Sequence, residues 1–511
     1  VIHHAAAGSG RNAAMKQKNN RIGLRLAIAA ILSGGLSMSA AGQGISASEQ
    51  QDIEQELREL LRMRGELANQ MEAFDRRIDA LEERLDAETT AAESGREPVI
   101  VEARAAEGEQ RSDEWGSFQP GRGFVLASND IGDVNFKIFT YARYLNSTGL
   151  DDTYTDSFGR TFEIDKRNDL QLQKVNLTFN GWLFDPRFRY YLYTWTSNTS
   201  QGDPAQVVVA GNLGYRFSEH FNLFAGIGAL PTTRTTNSTF PTWLRNDHRS
   251  IADEYFRGSY TSGIWANGAI MPGLRYHVML GNNLSQLGVN AAQLDDKLNT
   301  FSGALWWMPT TGEFGPGSGM GDFEWHDDLA TLFGIHFTSS TENRQAQPGT
   351  EGFENSQIRL SDGTRLFSED PLLVGSNFEE LDYRMIAANA GVKYRGWHFE
   401  AEAYFRKLDN FVTTGPVPFN DVSDNGFQLQ GSYMVRPSEL MVYAGYSRIN
   451  GDNGDPYDIA LGLNWYPFMR KDMRINFQGL YTKDSPVGYG SVPFIVGGNG
   501  WAFSTDAVVA F

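Results

Sequence analysis

Four arginines in one Thr/Ser/Asn-rich stretch have the type and spacing for recognition chemistry. Arg234, Arg245, Arg249 and Arg257 follow the segment Phe224-Ala-Gly-Ile-Gly-Ala-Leu-Pro231. Between 231 and 249 three arginines stand against one acid, Asp247, in a chain of formal net charge −18. A guanidinium donates two parallel N–H bonds, so it suits a carboxylate or a phosphate. The same arginines could instead brace the loop by pairing with Asp247, Asp253 and Glu254. Spacing alone leaves both readings open.

Signals for catalysis are weaker. There is no Gly-x-Ser-x-Gly elbow, no His-Glu-x-x-His and no P-loop, so no enzyme activity and no cofactor are expected. The absence of cysteine excludes disulfides, thiolate zinc sites and a Cys nucleophile, and it suits an oxidising envelope. Asp322, Glu324, Asp327 and Asp328 could form a weak calcium or lipopolysaccharide-bridging site, but nothing fixes their geometry and no metal is expected. Glu379-Glu380 and Asp151-Asp152 read as solvated charge. The acidic balance excludes a general nucleic-acid binder.

The elements that must position these residues are strands. From Asp133 onward the chain alternates in segments of roughly ten residues. They are 134–144, 170–179, 187–195, 206–217, 221–230, 263–271, 275–283, 300–308, 329–339, 383–395, 397–407, 427–436, 440–448, 458–466, 473–482 and 501–511. The last is the clearest. Phe511, Val509, Ala507, Thr505, Phe503 and Trp501 form an apolar face, and Asp506 and Ser504 lie on the other. Aromatics at both ends of a tilted strand match an outer-membrane barrel, and a soluble edge strand is the rival. Phe511, with Val509 and Phe503, is then the expected signal to the barrel-assembly machinery. Turns at 395–397, 436–438 and 467–472 contrast with long loops at 145–167, 231–262, 309–327 and 340–382, an asymmetry typical of such barrels. The fold class is therefore an all-β transmembrane barrel of about 16 antiparallel strands, spanning 131–511.

Ahead of it, residues 1–41 read as an upstream extension and a signal peptide. Met15 is the candidate initiator, Lys16, Lys18, Arg21 and Arg25 are basic, 26–36 is apolar, and Ser39-Ala40-Ala41 offers a cleavage site. Residues 49–86 read as an α-helical coiled coil. Leu57, Leu60, Leu67, Met71, Phe74, Ile78 and Leu81 follow gaps of four and three, and Arg64 interrupts an a position. This period supercoils left-handedly against copies of itself. A single amphipathic helix lying on the barrel or a membrane is the alternative. Residues 87–130 read as a linker.

Gly226-Ile-Gly-Ala-Leu-Pro231, the arginine-bearing loop and Arg249-Ser250 together resemble the strand end and following loop of the phosphate-selective porin O/P family. Asn180-Gly-Trp-Leu-Phe-Asp-Pro-Arg-Phe-Arg189, Gly396-Trp-His-Phe-Glu-Ala-Glu-Ala-Tyr404 and Leu461-Gly-Leu-Asn-Trp-Tyr-Pro467 are similar to strands of that family. The resemblance covers roughly 130–511. It implies a homotrimeric porin in which the loop folds into the pore and the coiled coil lies in the periplasm. The barrel would sit in outer-membrane lipid and lipopolysaccharide and pass small hydrophilic solutes by diffusion, with a possible preference for anions or phosphate. An envelope-tethering protein anchored by its barrel is the competing expectation. A barrel enzyme is a third.

Overall fold

The computed structural model describes residues 117–119, 123–197, 206–236, 242–285, 298–315, 319–344, 358–488 and 492–510. The signal segment, the coiled-coil positions Leu57, Leu60, Leu67, Met71, Phe74, Ile78 and Leu81, the linker to 116, and Phe511 lie outside the described residues.

The strands are β1 (Phe118–Gln119), β2 (Gly123–Ser128), β3 (Gly132–Leu150), β4 (Thr153–Thr155), β5 (Thr161–Glu163), β6 (Asn168–Leu183), β7 (Asp185–Ser197), β8 (Gln206–Arg216), β9 (Asn222–Ala229), β10 (Tyr260–Met271), β11 (Leu274–Gly281), β12 (Thr300–Trp307), β13 (Ala330–Asn343), β14 (Phe378–Tyr394), β15 (Trp397–Thr413), β16 (Val422–Arg436), β17 (Leu440–Asn450), β18 (Tyr457–Trp465), β19 (Met473–Lys483) and β20 (Gly500–Ala510). Among the described residues there is one helix, α1 (Ile251–Phe256). Strands β3 and β6 to β20 each pair antiparallel with the next, and β20 returns to β3, so sixteen strands close a barrel. Closure leaves no long edge. Every alternating segment expected from the sequence is one of these strands. β2 continues the seam, pairing with Asp133–Phe136 of β3 beyond the point where Ala510 of β20 meets Phe139.

Side-chain alternation is inverted relative to a soluble barrel. Outward positions are apolar and open, such as Val209 (75% exposed), Phe405 (59%) and Phe503 (55%). Inward positions on β15 and β16 include Glu400, Glu402, Arg406, Asp424 and Gln428, all buried. An apolar exterior around a polar interior is the pattern of a membrane barrel and argues against a soluble one. Aromatic belts mark its limits. Tyr446, Tyr457, Tyr481 and Trp501 follow one another with ring centroids 5.4–6.2 Å apart at one end. Trp397 and Tyr433 stack at 4.3 Å at the other.

Connections at the second end are short. Arg395-Gly396 joins β14 to β15 with φ of 47° and 83°, the left-handed pair that suits a two-residue hairpin. The segment 308–329 departs from expectation. It joins β12 to β13, so strand alternation puts it at the turn end rather than among the long loops. There Met320 and Phe323 pack with Trp243, Leu244, Met441, Tyr443 and Tyr466. The lumen is also filled near the loop end, where Ile358, Leu360, Leu366, Phe367, Val487 and Phe494 join Tyr255, Phe256 and Tyr404 in one dry cluster.

Candidate pore constriction

The β9–β10 connection runs into the barrel. Its apolar residues Leu230, Ile251, Ala252, Tyr255 and Phe256 are buried, and the wall is shaped to receive them. Phe256 stacks on Tyr404 of β15 at 5.1 Å. Gly426 and Gly445 face inward on β16 and β17. A Cβ at Gly426 would lie 2.6 Å from the Phe256 ring, and one at Gly445 would lie 2.4 Å from the Arg245 guanidinium. A side chain at Gly426 would displace the Phe256 ring, and one at Gly445 the Arg245 guanidinium. Ser250 caps α1 by accepting from Asp253 N–H at 3.2 Å, and Ser250 Oγ donates to Gln428 of β16 at 2.8 Å.

The structure brings the four arginines into this loop but gives them different partners. Arg234 Nε and Nη2 donate to Glu400 at 2.8 and 3.0 Å, and its backbone N–H donates to Glu402 at 2.8 Å. Arg245 Nη1 pairs with Asp458 of β18. These two fasten the loop to the wall. Arg249 lies 4.2 Å from the Trp243 ring centroid and donates to Thr235 Oγ1 at 2.7 Å, with Glu254 at 3.5 Å and Asp253 at 3.9 Å. Arg257 forms a two-pronged pair with Glu254 at 3.0 and 2.5 Å. Bracing is thus real, but among the described residues Asp247 has no arginine partner: it pairs with Lys174 of β6 at 2.5 Å and accepts from the Tyr141 hydroxyl at 2.8 Å.

Burial pushes the Asp253 carboxyl up, against the pull of Arg249 and its threonine donors. For Glu254 burial acts in the same direction, but Arg257 and Arg249 outweigh it and hold the group below the usual range. Burial, aided by Arg143 and Arg245, keeps the His248 imidazole neutral.

Between this loop and β3, β6 and β7 lies a cavity of about 460 Å³. Its lining carries six basic side chains, Lys137, Lys174, Arg249, Arg257, Lys471 and Arg474, against two acidic ones, Asp247 and Asp472. Arg234 and Arg245 do not reach it. Lys137 has no ion-pair partner among the described residues. Sequence reasoning missed Lys137, Lys174, Lys471 and Arg474. The first two sat on the polar face of alternating segments, and that face turns into the lumen.

At the seam, Asp506 of β20 receives a bidentate pair from Arg143 of β3 at 2.6 and 2.7 Å, and Asn246 of the inner loop donates to it at 2.8 Å. Phe503 and Val509 lie on the outward face of β20, as alternation requires. Within 322–328, Asp322 and Glu324 together with His326 have ligand-type atoms within 4.8 Å of one another, without Asp327 or Asp328. Each already has a protein partner. His326 lies between Asp322 and Glu313 at 2.5 and 2.7 Å, and Glu324 pairs with Lys471, whose ammonium burial lowers to about 8.

No family model matches the chain, and no curated relative does. Among solved structures the chain is similar to the outer-membrane expressed OmpT of Vibrio cholerae, at 14% identity and a TM-score of 0.44 over 76% of this chain and 100% of that one. It is also similar to an anion-selective porin from Comamonas acidovorans, at 11% identity and 0.44 over 74% and 100% of the two chains. A third is the outer membrane channel DcaP of Acinetobacter baumannii, at 10% identity and 0.43 over 75% and 99%. These likenesses concern the barrel fold.

Proposed function

We propose that the chain is an outer-membrane diffusion pore that prefers small anions. The observation that carries this reading is the lining of the open cavity, where basic side chains outnumber acidic ones six to two in a chain of net charge −18. In a narrow passage with low-dielectric walls such charges are screened less than on an open surface, so they enrich counter-ions. Transport is passive and draws on no cofactor. Phosphate is one candidate solute, but Arg249 and Arg257 are already engaged with Glu254. Lys137 offers a point charge rather than a fork. A general anion preference therefore fits better than a phosphate-specific site. The same reading makes the protein a homotrimer in lipid and lipopolysaccharide, inserted by the barrel-assembly machinery through a signal ending in Phe511. Residues 1–41 would be removed on export, and the coiled coil at 49–86 would lie in the periplasm with 87–130 as linker to the barrel.

The test is single-channel recording of the purified full chain in planar bilayers under a KCl gradient. A conducting pore with a reversal potential on the chloride side is expected. A closed barrel would favour the tethering role instead, and a reversal on the potassium side would refute anion preference.

A further inference from the structure

We propose that the cavity holds a subsite for anions that carry a flat ring, of the aryl carboxylate class. This rests on the anion-preferring pore reading and adds a second determinant to it. The wall formed by β3, β6 and β7 presents an organised array to the lumen. Tyr191, Tyr193 and Trp195 occupy alternate positions on β7 and all line the cavity. Tyr260 lines it at the start of β10. Tyr191 is 41% exposed although its neighbourhood is inside the barrel. The Tyr191 and Tyr193 rings stand 5.7 Å apart at 58° to each other, so neither covers the other's face. The Tyr191 and Tyr193 faces of this column thus have unused capacity for stacking.

Charge is registered against that column. Lys137 pairs with Thr178, and Thr178 pairs with Tyr193, so the three share one row across the wall. Two strand spacings separate Lys137 from Tyr193, about 10 Å between backbones, and both side chains project into the cavity. Lys174 lies 4.9 Å from the Trp195 centroid but is already held by Asp247. Lys137 lines the cavity without an acidic partner among the described residues. A ring lying on Tyr191 and Tyr193 would direct its carboxylate along the row to the Lys137 ammonium. A small anion such as acetate meets the charge but not the column. A neutral or cationic ring meets the column but not the charge.

Block of the chloride current by added benzoate, acetate and benzylammonium, measured on the purified full chain in bilayers, tests this. Benzoate is expected to half-block at a concentration about tenfold below acetate, the size of effect one favourable aromatic contact supplies. Benzylammonium should not block. Tyr191→Ser should bring benzoate close to acetate, and Lys137→Gln should weaken both anions. Equal block by benzoate and acetate on the unaltered protein would overturn the subsite while leaving an anion-preferring pore intact. Block by benzylammonium equal to that by benzoate would overturn it as well, and this needs no variant to fold. A potassium-side reversal potential would remove both readings together.

Discussion

Reversing the charge of Lys137 isolates the electrostatic part of the pore. Lys137 lines the cavity, has no acidic partner among the described residues, and belongs to the wall rather than to the inner loop. Lys137→Glu should therefore alter the field without releasing the loop. A chloride ion passing about 5 Å from a unit charge gains about 0.8 kcal/mol at the permittivity of water, and more beside low-dielectric walls. Ionic screening roughly halves this at 0.15 M, where the Debye length is about 8 Å, and trims it only slightly at 0.01 M, where it is about 30 Å. The substitution changes the charge by two units, so chloride passage becomes costlier by about 0.9 kcal/mol at 0.15 M and about 1.4 kcal/mol at 0.01 M. Chloride occupancy should fall about fourfold and about tenfold respectively, with potassium gaining in the same measure. Reversal potentials at the two salt levels, read alongside conductance, provide the assay. Arg234→Ala is the contrasting change. It leaves Glu400 buried and without its guanidinium, at a cost of roughly 3–5 kcal/mol, and it unfastens the loop. Conductance should rise with little movement in reversal potential. A Lys137→Glu pore with an unmoved reversal potential, or one whose shift grows with salt, would refute the reasoning.

Asp253 gives a pH dependence of defined sign. Burial raises its pKa in the folded loop, so the protonated form is favoured, and that stabilisation is lost as pH climbs from the ordinary carboxylate range through the raised value. Ionised Asp253 then adds negative charge beside Arg249, Arg257 and Glu402, so anion preference should decline with rising pH, and Asp253→Asn should flatten the profile. Arg143→Ala should strand Asp506 at the β3–β20 seam and lower the temperature at which the folded band is lost in SDS electrophoresis, by an amount matching roughly 3–5 kcal/mol; an unchanged melting point would count against the seam pair. Deleting Phe511 should reduce assembly into membranes far more than it reduces the stability of barrels already formed, as separate pulse-assembly and melting measurements would show. Leu60→Asp with Leu67→Asp should abolish self-association of the 49–86 segment by placing unpaired charges in the seam, and persistent association by sedimentation would remove the coiled-coil reading.

What could be read from the chain followed from how local the signal was. Period-two alternation is a property of ten consecutive residues, so each of the sixteen strands was visible, down to the apolar and polar faces of β20. The end of the barrel at which a connection emerges is set by counting strands, not by loop length, and length alone misplaced 309–327. Partners of the arginines were least legible. Arg234 meets Glu400 and Arg245 meets Asp458 across 166 and 213 residues, and no spacing rule reaches that far. The acids close in sequence, Asp253 and Glu254, were found, and Asp247 was assigned to the wrong cation. A usable signal did exist for Lys137 and Lys174. Both stand on the face of their strands that carries Asn135, Asn176 and Thr178, and in a membrane barrel the polar face must be the lumen.

The division of labour among these charges follows from which of them are already neutralised. Buried ion pairs contribute little net stability, because desolvation of both groups offsets much of their attraction. Their geometry nonetheless discriminates among positions of a loop, since displacement leaves two buried charges without partners. Arg234 with Glu400 and Arg245 with Asp458 thus specify where the inner loop lies against β15 and β18. The dry cluster of Tyr255, Phe256 and Tyr404 supplies the burial that holds it there. An arginine used in this way has its field largely cancelled at short range. The field acting on a passing solute would then come from cations left over, and among the described residues Lys137 on β3 lines the cavity without an acidic partner. On the proposed pore reading, loop position and ion preference are therefore set by different residues, and each should be changeable without the other.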